Sequence, residues 1–188
     1  KAGIAGAAAT AVSTFPAPAI AAGHQEWIIC SAFGKAGLLG QAIQAFADSI
    51  NNYSEKLKIK VYHAGELVPG LESLDAVRSG AAQASYGAPY YWTNLSDAIE
   101  FVATCPFGMN AMEQNAWCYY GGGIEAADEI YNGLGLKFLP MGNTGNQMGG
   151  WFNKEINTPS DYEGLKMRMP GLGGRTIEKL GATPVLLA

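Results

Sequence analysis

Arg168 lies in the run LKMRMPG, between two methionines and just before Pro170 and Gly171. A cation among apolar side chains is costly to desolvate unless it meets an anion. A guanidinium suits a carboxylate, because its planar fork presents two parallel N–H donors that lysine cannot reproduce. Two partners are open to it on this pattern: a small bound carboxylate, or an internal Asp or Glu. If the run is extended, side chains alternate, so Met167 and Met169 turn away from Arg168 and can bury themselves.

The glycines that follow raise a phosphate-cradling loop as a rival. The stretch GLGGRT lacks the lysine and the spacing of a P-loop, and the order Gly171-Leu172-Gly173-Gly174 departs from G-x-G-x-x-G. A P-loop also works through consecutive backbone N–H groups rather than a strand side chain. Covalent catalysis has no stronger footing. There is no G-x-S-x-G elbow, and His24 and His63 stand alone. Glu66, Glu72 and Asp75 are ordinary surface residues by type. Cys30, Cys105 and Cys118 lack metal-ligand spacing. They read as small hydrophobes in preference to a Cys105–Cys118 bridge.

Two further clusters complement Arg168. ASYGAPYYWTN places Tyr86, Tyr90, Tyr91 and Trp92 just after a strand, and GNTGNQMGGWFN places Asn143, Asn146 and Gln147 in a glycine-rich bend. Ligands of α/β proteins sit beyond strand ends, and glycine lets backbone approach them closely. Taken singly, each cluster is more often an ordinary core or turn. Together they describe a small pocket with one cation, phenols and amides.

The elements that must position these residues follow from periodicity. EWIICSAF (26–33) reads as a buried strand. The segment from Gly37 to Ser54 places Leu39, Ala42, Ile43, Phe46 and Ile50 on one helical face and ends at Asn51-Asn52. LKIKVYHA (57–64) alternates as a strand, and ESLDAVRSGAAQASYG gives a helix, a stop at Gly80 and a short strand. A helical stretch over 111–133 is weakened by Gly121-Gly122-Gly123. Strands are expected at 136–142 and 147–153, then a helix start at Thr158-Pro159-Ser160-Asp161, the strand carrying Arg168, and a closing strand in GATPVLLA. Strand–helix repetition predicts an α/β fold with mainly parallel sheets.

Composition agrees. Of 188 residues, 48% are hydrophobic and 15% charged, enough for a buried core. A net charge of −4 argues against nucleic acid as the main partner. The first 22 residues are rich in Ala and Gly, and Ala19-Ile20-Ala21 near their end is a small-x-small pattern of signal peptidase sites. An Ala-rich helix is the alternative. The weak apolar stretch suits the twin-arginine export route. The chain is expected to be a piece truncated at both ends, with cleavage after Ala21 or Ala22.

The runs VYHAGELVPGLESLDAV, GAPYYW, CPFGMNAMEQNAW, GNTGNQMGGWFNKEI and GLKMRMPGLGG…LGATPV resemble the periplasmic solute receptors of tripartite ATP-independent periplasmic (TRAP) transporters, the DctP family. The similarity is greatest to the branch that binds α-keto acids. The resemblance implies a two-lobed periplasmic-binding-protein-like fold with its C-terminal part missing here. Residues 1–22 would be a signal peptide remnant, 23–141 part of the first lobe, and 142–188 the hinge crossing and the start of the second. It implies a non-enzymatic receptor that delivers a 2-oxo acid to ion-driven membrane subunits, with a homodimer as a further expectation. An enzyme or sensor domain on the same fold is the alternative. By the resemblance, Arg168 grips the substrate carboxylate, Gln147 contacts both substrate and a bound cation such as sodium, and Tyr90 and Tyr91 line the cleft. Asn143 and Glu66 lie in matching motifs. A Trp-Glu pair completing the cation site would lie beyond residue 188.

Overall fold

The computed structural model describes residues 23–187. The expected signal peptide and its cleavage site at Ala21 or Ala22 lie outside the described residues. The first sheet contains β1 (Gln25–Ser31), β2 (Leu57–Tyr62) and β3 (Ala84–Tyr86), all parallel, in the order β2-β1-β3. Helix α1 (Leu38–Tyr53) links β1 to β2, and α2 (Ser73–Arg78) leads from β2 into β3. Side chains of β1 alternate between two cores. Ile29 packs with Ile43, Ala47 and Ile59 under α1. Cys30 packs with Ala76 and Ala82 under α2. The sheet is therefore covered on both faces, as its β-branched central strand requires.

The α1 contact stripe is Gly40, Ile43 and Ala47, while Ala42 and Phe46, expected on the buried face, are exposed. Gly40 sets this rotation by packing against the Gly34 carbonyl. The helix also runs through Asn51 and Asn52 to Tyr53. Instead of ending the helix, Asn51 ties it to the sheet. Its amide accepts from Ile59 N at 2.7 Å and donates to Ile59 O at 2.8 Å. These bonds satisfy backbone groups on the free edge of β2, which would otherwise be open to pairing with another strand.

The stretch 111–133 divides into α3 (Ala111–Tyr120) and α4 (Gly123–Asn132). Gly122 takes φ +84° between them, a conformation that L side chains avoid. Asn110 and Glu113 form a capping box at the start of α3.

Two expected strands are not formed. Residues 136–142 and 147–153 have no regular pairing with any described strand. A strand needs a neighbour to satisfy its amides, and Pro140 lacks a donor altogether. This segment is held by side chains instead. Phe138 packs on Tyr131 with ring centroids 5.2 Å apart, and Lys137 pairs with Asp128. The second sheet then forms from β4 (Lys166–Arg168) and β5 (Thr183–Val185), parallel and joined by α5 (Gly171–Glu178). The fold is thus α/β with parallel sheets throughout its described part.

Candidate functional site

The strand order places a crossover at β1, since the chain enters β2 on one side of it and β3 on the other. Crevices beyond the carboxyl ends of strands at such a reversal are the usual ligand sites of α/β sheets. Here that place is lined with rings. Phe33 follows β1 and stands edge-on to Tyr86 at 5.5 Å and tilted to Tyr91 at 6.2 Å. Tyr90 and Tyr91, in the 3-10 turn Pro89–Trp92 after β3, stand edge-on to each other at 5.2 Å. Trp92 points into the core and donates its indole N–H to Leu71 O at 2.8 Å, so it supports the turn from below.

Arg168, the last residue of β4, reaches this cluster. Its Nη2 donates to the Tyr91 hydroxyl at 3.1 Å and to Leu187 O at 2.8 Å, and its Nε donates to Leu187 O at 3.0 Å. The guanidinium carbon lies 5.9 Å from the Tyr91 ring centroid, within cation–π range. Met167 and Met169 are half-buried while Arg168 is exposed, as alternation predicts. Among the described residues Arg168 forms no ion pair with Asp or Glu. Its Nη1 has no hydrogen-bond partner among them, so two of its five N–H groups are unpaired, while the Nε–Nη2 edge is taken by Leu187 O and the Tyr91 hydroxyl. Burial pushes the Tyr90 phenol up in pKa, helped by the Tyr91 phenol and opposed by Arg168. Tyr90 is therefore a neutral hydroxyl at physiological pH, able to donate.

The structure brings Arg168, Tyr91 and Tyr90 together. Asn143 and Gln147 bond within their own bend: Asn143 Oδ1 accepts from Gly145 N at 2.8 Å, and Gln147 Nε2 donates to Thr144 Oγ1 at 2.6 Å. The bend nevertheless starts and ends at the two sheets. A methyl on Gly142 would lie 2.8 Å from the Tyr86 hydroxyl, and one on Gly150 would strike Met167. Glu66 accepts from His63 N at 2.9 Å and so closes its own turn.

The sequence reading missed an ion pair at the back of the site. Arg175 Nη2 in α5 donates to Glu100 Oε1 at 2.7 Å and to Asp97 Oδ1 at 3.1 Å, and Glu100 is only 1% exposed. The available signal was Glu100 itself, one carboxylate inside the apolar AIEFVA.

Gln147 uses its amide N–H on Thr144, which leaves its Oε1 as an oxygen donor of the kind hard cations prefer. No group of three or more His, Cys, Asp or Glu that could hold a metal occurs among the described residues. These residues offer part of a cation's shell and do not enclose one.

Residues 32–188 match the family described as DctP, bacterial extracellular solute-binding protein, family 7. A monocarboxylate 2-oxoacid-binding periplasmic protein of Nostoc sp. is 48% identical over 132 residues, covering 70% of this chain and 36% of the relative. A TRAP periplasmic solute-binding protein from Pseudoalteromonas atlantica, solved with sodium and pyruvate, is 42% identical with a TM-score of 0.83. That match covers 87% of this chain and 50% of the other. One from Colwellia psychrerythraea, solved with calcium and pyruvate, is 40% identical with a TM-score of 0.83, covering 87% and 51%. The chain spans about half the length of these solved structures, and less of the Nostoc protein.

Proposed function

Because this chain belongs to the DctP family of bacterial extracellular solute-binding proteins, we propose that it serves as the solute receptor of a TRAP transporter. Its ligand is a small 2-oxo acid of the pyruvate class, passed on to an ion-driven membrane permease. The observation that carries this reading is the unpaired Nη1 of Arg168, on a guanidinium held at Nε and Nη2 by the neutral oxygens of Tyr91 and Leu187. An arginine placed by uncharged acceptors keeps its full charge for an incoming carboxylate. Tyr90 and Tyr91 offer phenol donors beside it, and the aromatic wall from Phe33 to Tyr86 excludes water from the small apolar part of the ligand.

Gln147 and Asn143 belong to the same proposal, on the bend that would lie over the ligand where the first lobe, of which 23–141 form part, passes through the hinge crossing into the start of the second in 142–188. The sodium and calcium in the pyruvate-bound relatives support a cation beside the ligand. Gln147 would supply one oxygen to it, and the ligand's keto and carboxylate oxygens are the donors such a hard cation prefers. The family is extracytoplasmic by description. Periplasmic location by a signal peptide within 1–22, the twin-arginine route and a homodimer are further parts of the proposal. The family description and the 2-oxoacid-binding relative favour a receptor over an enzyme or sensor domain on the same fold.

The test is native mass spectrometry of the intact protein isolated from periplasm, followed by analysis of the small molecule released on denaturation. The expected result is an unchanged 2-oxo acid. A ligand without a carboxylate, or conversion of the added acid to a product, would overturn the reading.

A further inference from the structure

Three contacts hold α5 against the tyrosine-bearing turn. Gly171 takes φ +57°, and a methyl there would sit 2.7 Å from Glu100 Oε2 and 2.8 Å from Tyr90 Cβ. One turn later, Arg175 meets Glu100 Oε1 at 2.7 Å. At the other end of the short connection, Arg168 meets the Tyr91 hydroxyl at 3.1 Å. Only Met169 and Pro170 separate β4 from α5, and proline fixes one of the few free dihedrals between them. Wherever α5 docks, Arg168 must follow. The turn Ile99–Val102 that carries Glu100 shares a core with Tyr91 and Trp92. Glu100 and Tyr91 therefore belong to one packed body, and Arg175 and Arg168 to another short unit laid against it.

Of the acids on Arg175, the Asp97 side chain is 88% exposed and Glu100 is 1% exposed. The bond to Asp97 is screened by water. The bond to Glu100 is the directional one, because a buried carboxylate without its cation is strongly disfavoured. Its second oxygen, Oε2, has no hydrogen-bond partner among the described residues, so Arg175 is the main group that compensates it.

We propose that Glu100 and Arg175 are positioning residues: their buried ion pair seats the β4–α5 unit on the tyrosine turn and so holds the Arg168 guanidinium at the Tyr91 hydroxyl, in place for a carboxylate. The inference rests on the reading of Arg168 as the carboxylate-gripping residue.

The test uses E100Q, R175K and R175M in the intact protein, each on the native and the R168K background, titrated with pyruvate. E100Q keeps the side-chain shape and removes a buried charge, so it carries the test if R175M fails to fold. E100Q is expected to weaken binding about ten-fold, the size of one charge-assisted bond. R175K, which keeps a cation at Glu100, should recover most of the loss seen in R175M. On the R168K background, E100Q should add less than about two-fold, because coupled residues are not additive. The second readout is the Nε–H resonance of Arg168 without ligand, which should move in E100Q. Equal losses on both backgrounds with an unmoved resonance would overturn the proposal and leave the receptor reading intact. A moved resonance in a protein that binds no 2-oxo acid would keep the positioning role and overturn the ligand.

Discussion

The Arg168 guanidinium gains geometry from its neighbours without losing charge. Tyr91 contributes one hydroxyl at 3.1 Å and the face of its ring. Tyr91→Phe keeps the ring and its packing and removes the hydroxyl. A bond of this kind contributes about 1 kcal/mol when partly exposed, so the affinity for pyruvate should fall roughly five-fold with the melting temperature nearly unchanged. Titration calorimetry checks this, and an unaltered affinity would show that the hydroxyl does not hold Arg168 in the bound state. Gln147→Ala should weaken pyruvate binding and abolish its dependence on sodium or calcium together, since one amide would serve ligand and cation. Ion dependence that survives in the variant would place the cation elsewhere. At this scale the sequence shows types and alternation, and Arg168 between two methionines was legible from both. The Glu100–Arg175 bond was not. Its partners lie 75 positions apart, on a turn and a helix that no local periodicity relates.

Among the elements, α5 is the one whose placement decides the site. Gly171→Ala would add a methyl against Glu100 and Tyr90 at a positive φ. Strain of this sort costs of order 1–3 kcal/mol. Urea unfolding should show a loss in that range together with weaker pyruvate binding, and a neutral substitution would mean that α5 docks more loosely than described. The turn before β4 has its own pH signature. The Asp161 carboxyl is held below the ordinary Asp range by the Thr158 and Asn157 N–H groups and the Thr158 hydroxyl. A carboxyl whose folded pKa is depressed adds stability above its unfolded pKa and loses it as pH falls through the folded value. The stability gap between the native protein and Asp161→Asn should therefore be full near neutral pH and close at strongly acidic pH. A gap that does not vary with pH would remove the charge from the explanation. The elements β1, α1, β2, α2 and β3 were readable because apolar runs and turn signals alternate along them, although the buried stripe of α1 is rotated from the face its periodicity gave. The apolar run LKFLPMG looked like a strand for the same reason. Composition alone could not reveal that no described strand lies beside it.

For the whole molecule, the parallel α/β architecture and the family follow from runs spread along most of the chain, residues 32–188. What a sequence pattern could not supply is how β4 and α5 meet the tyrosine turn, because that contact joins segments more than seventy positions apart. The proposed function puts a carboxylate at this contact, with Arg168 as its principal partner. Calorimetric titration of pyruvate into the intact protein and its Arg168→Lys variant, with sodium or calcium present, tests that claim most directly. Lysine keeps the charge and loses the fork, and a charge-assisted bond is worth about 1.5–3 kcal/mol. The native protein should bind, and a variant with unchanged circular dichroism should bind with an affinity about ten- to a hundred-fold lower. Equal affinity in the folded variant, or no binding of pyruvate or any other 2-oxo acid by the native protein, would contradict the claim.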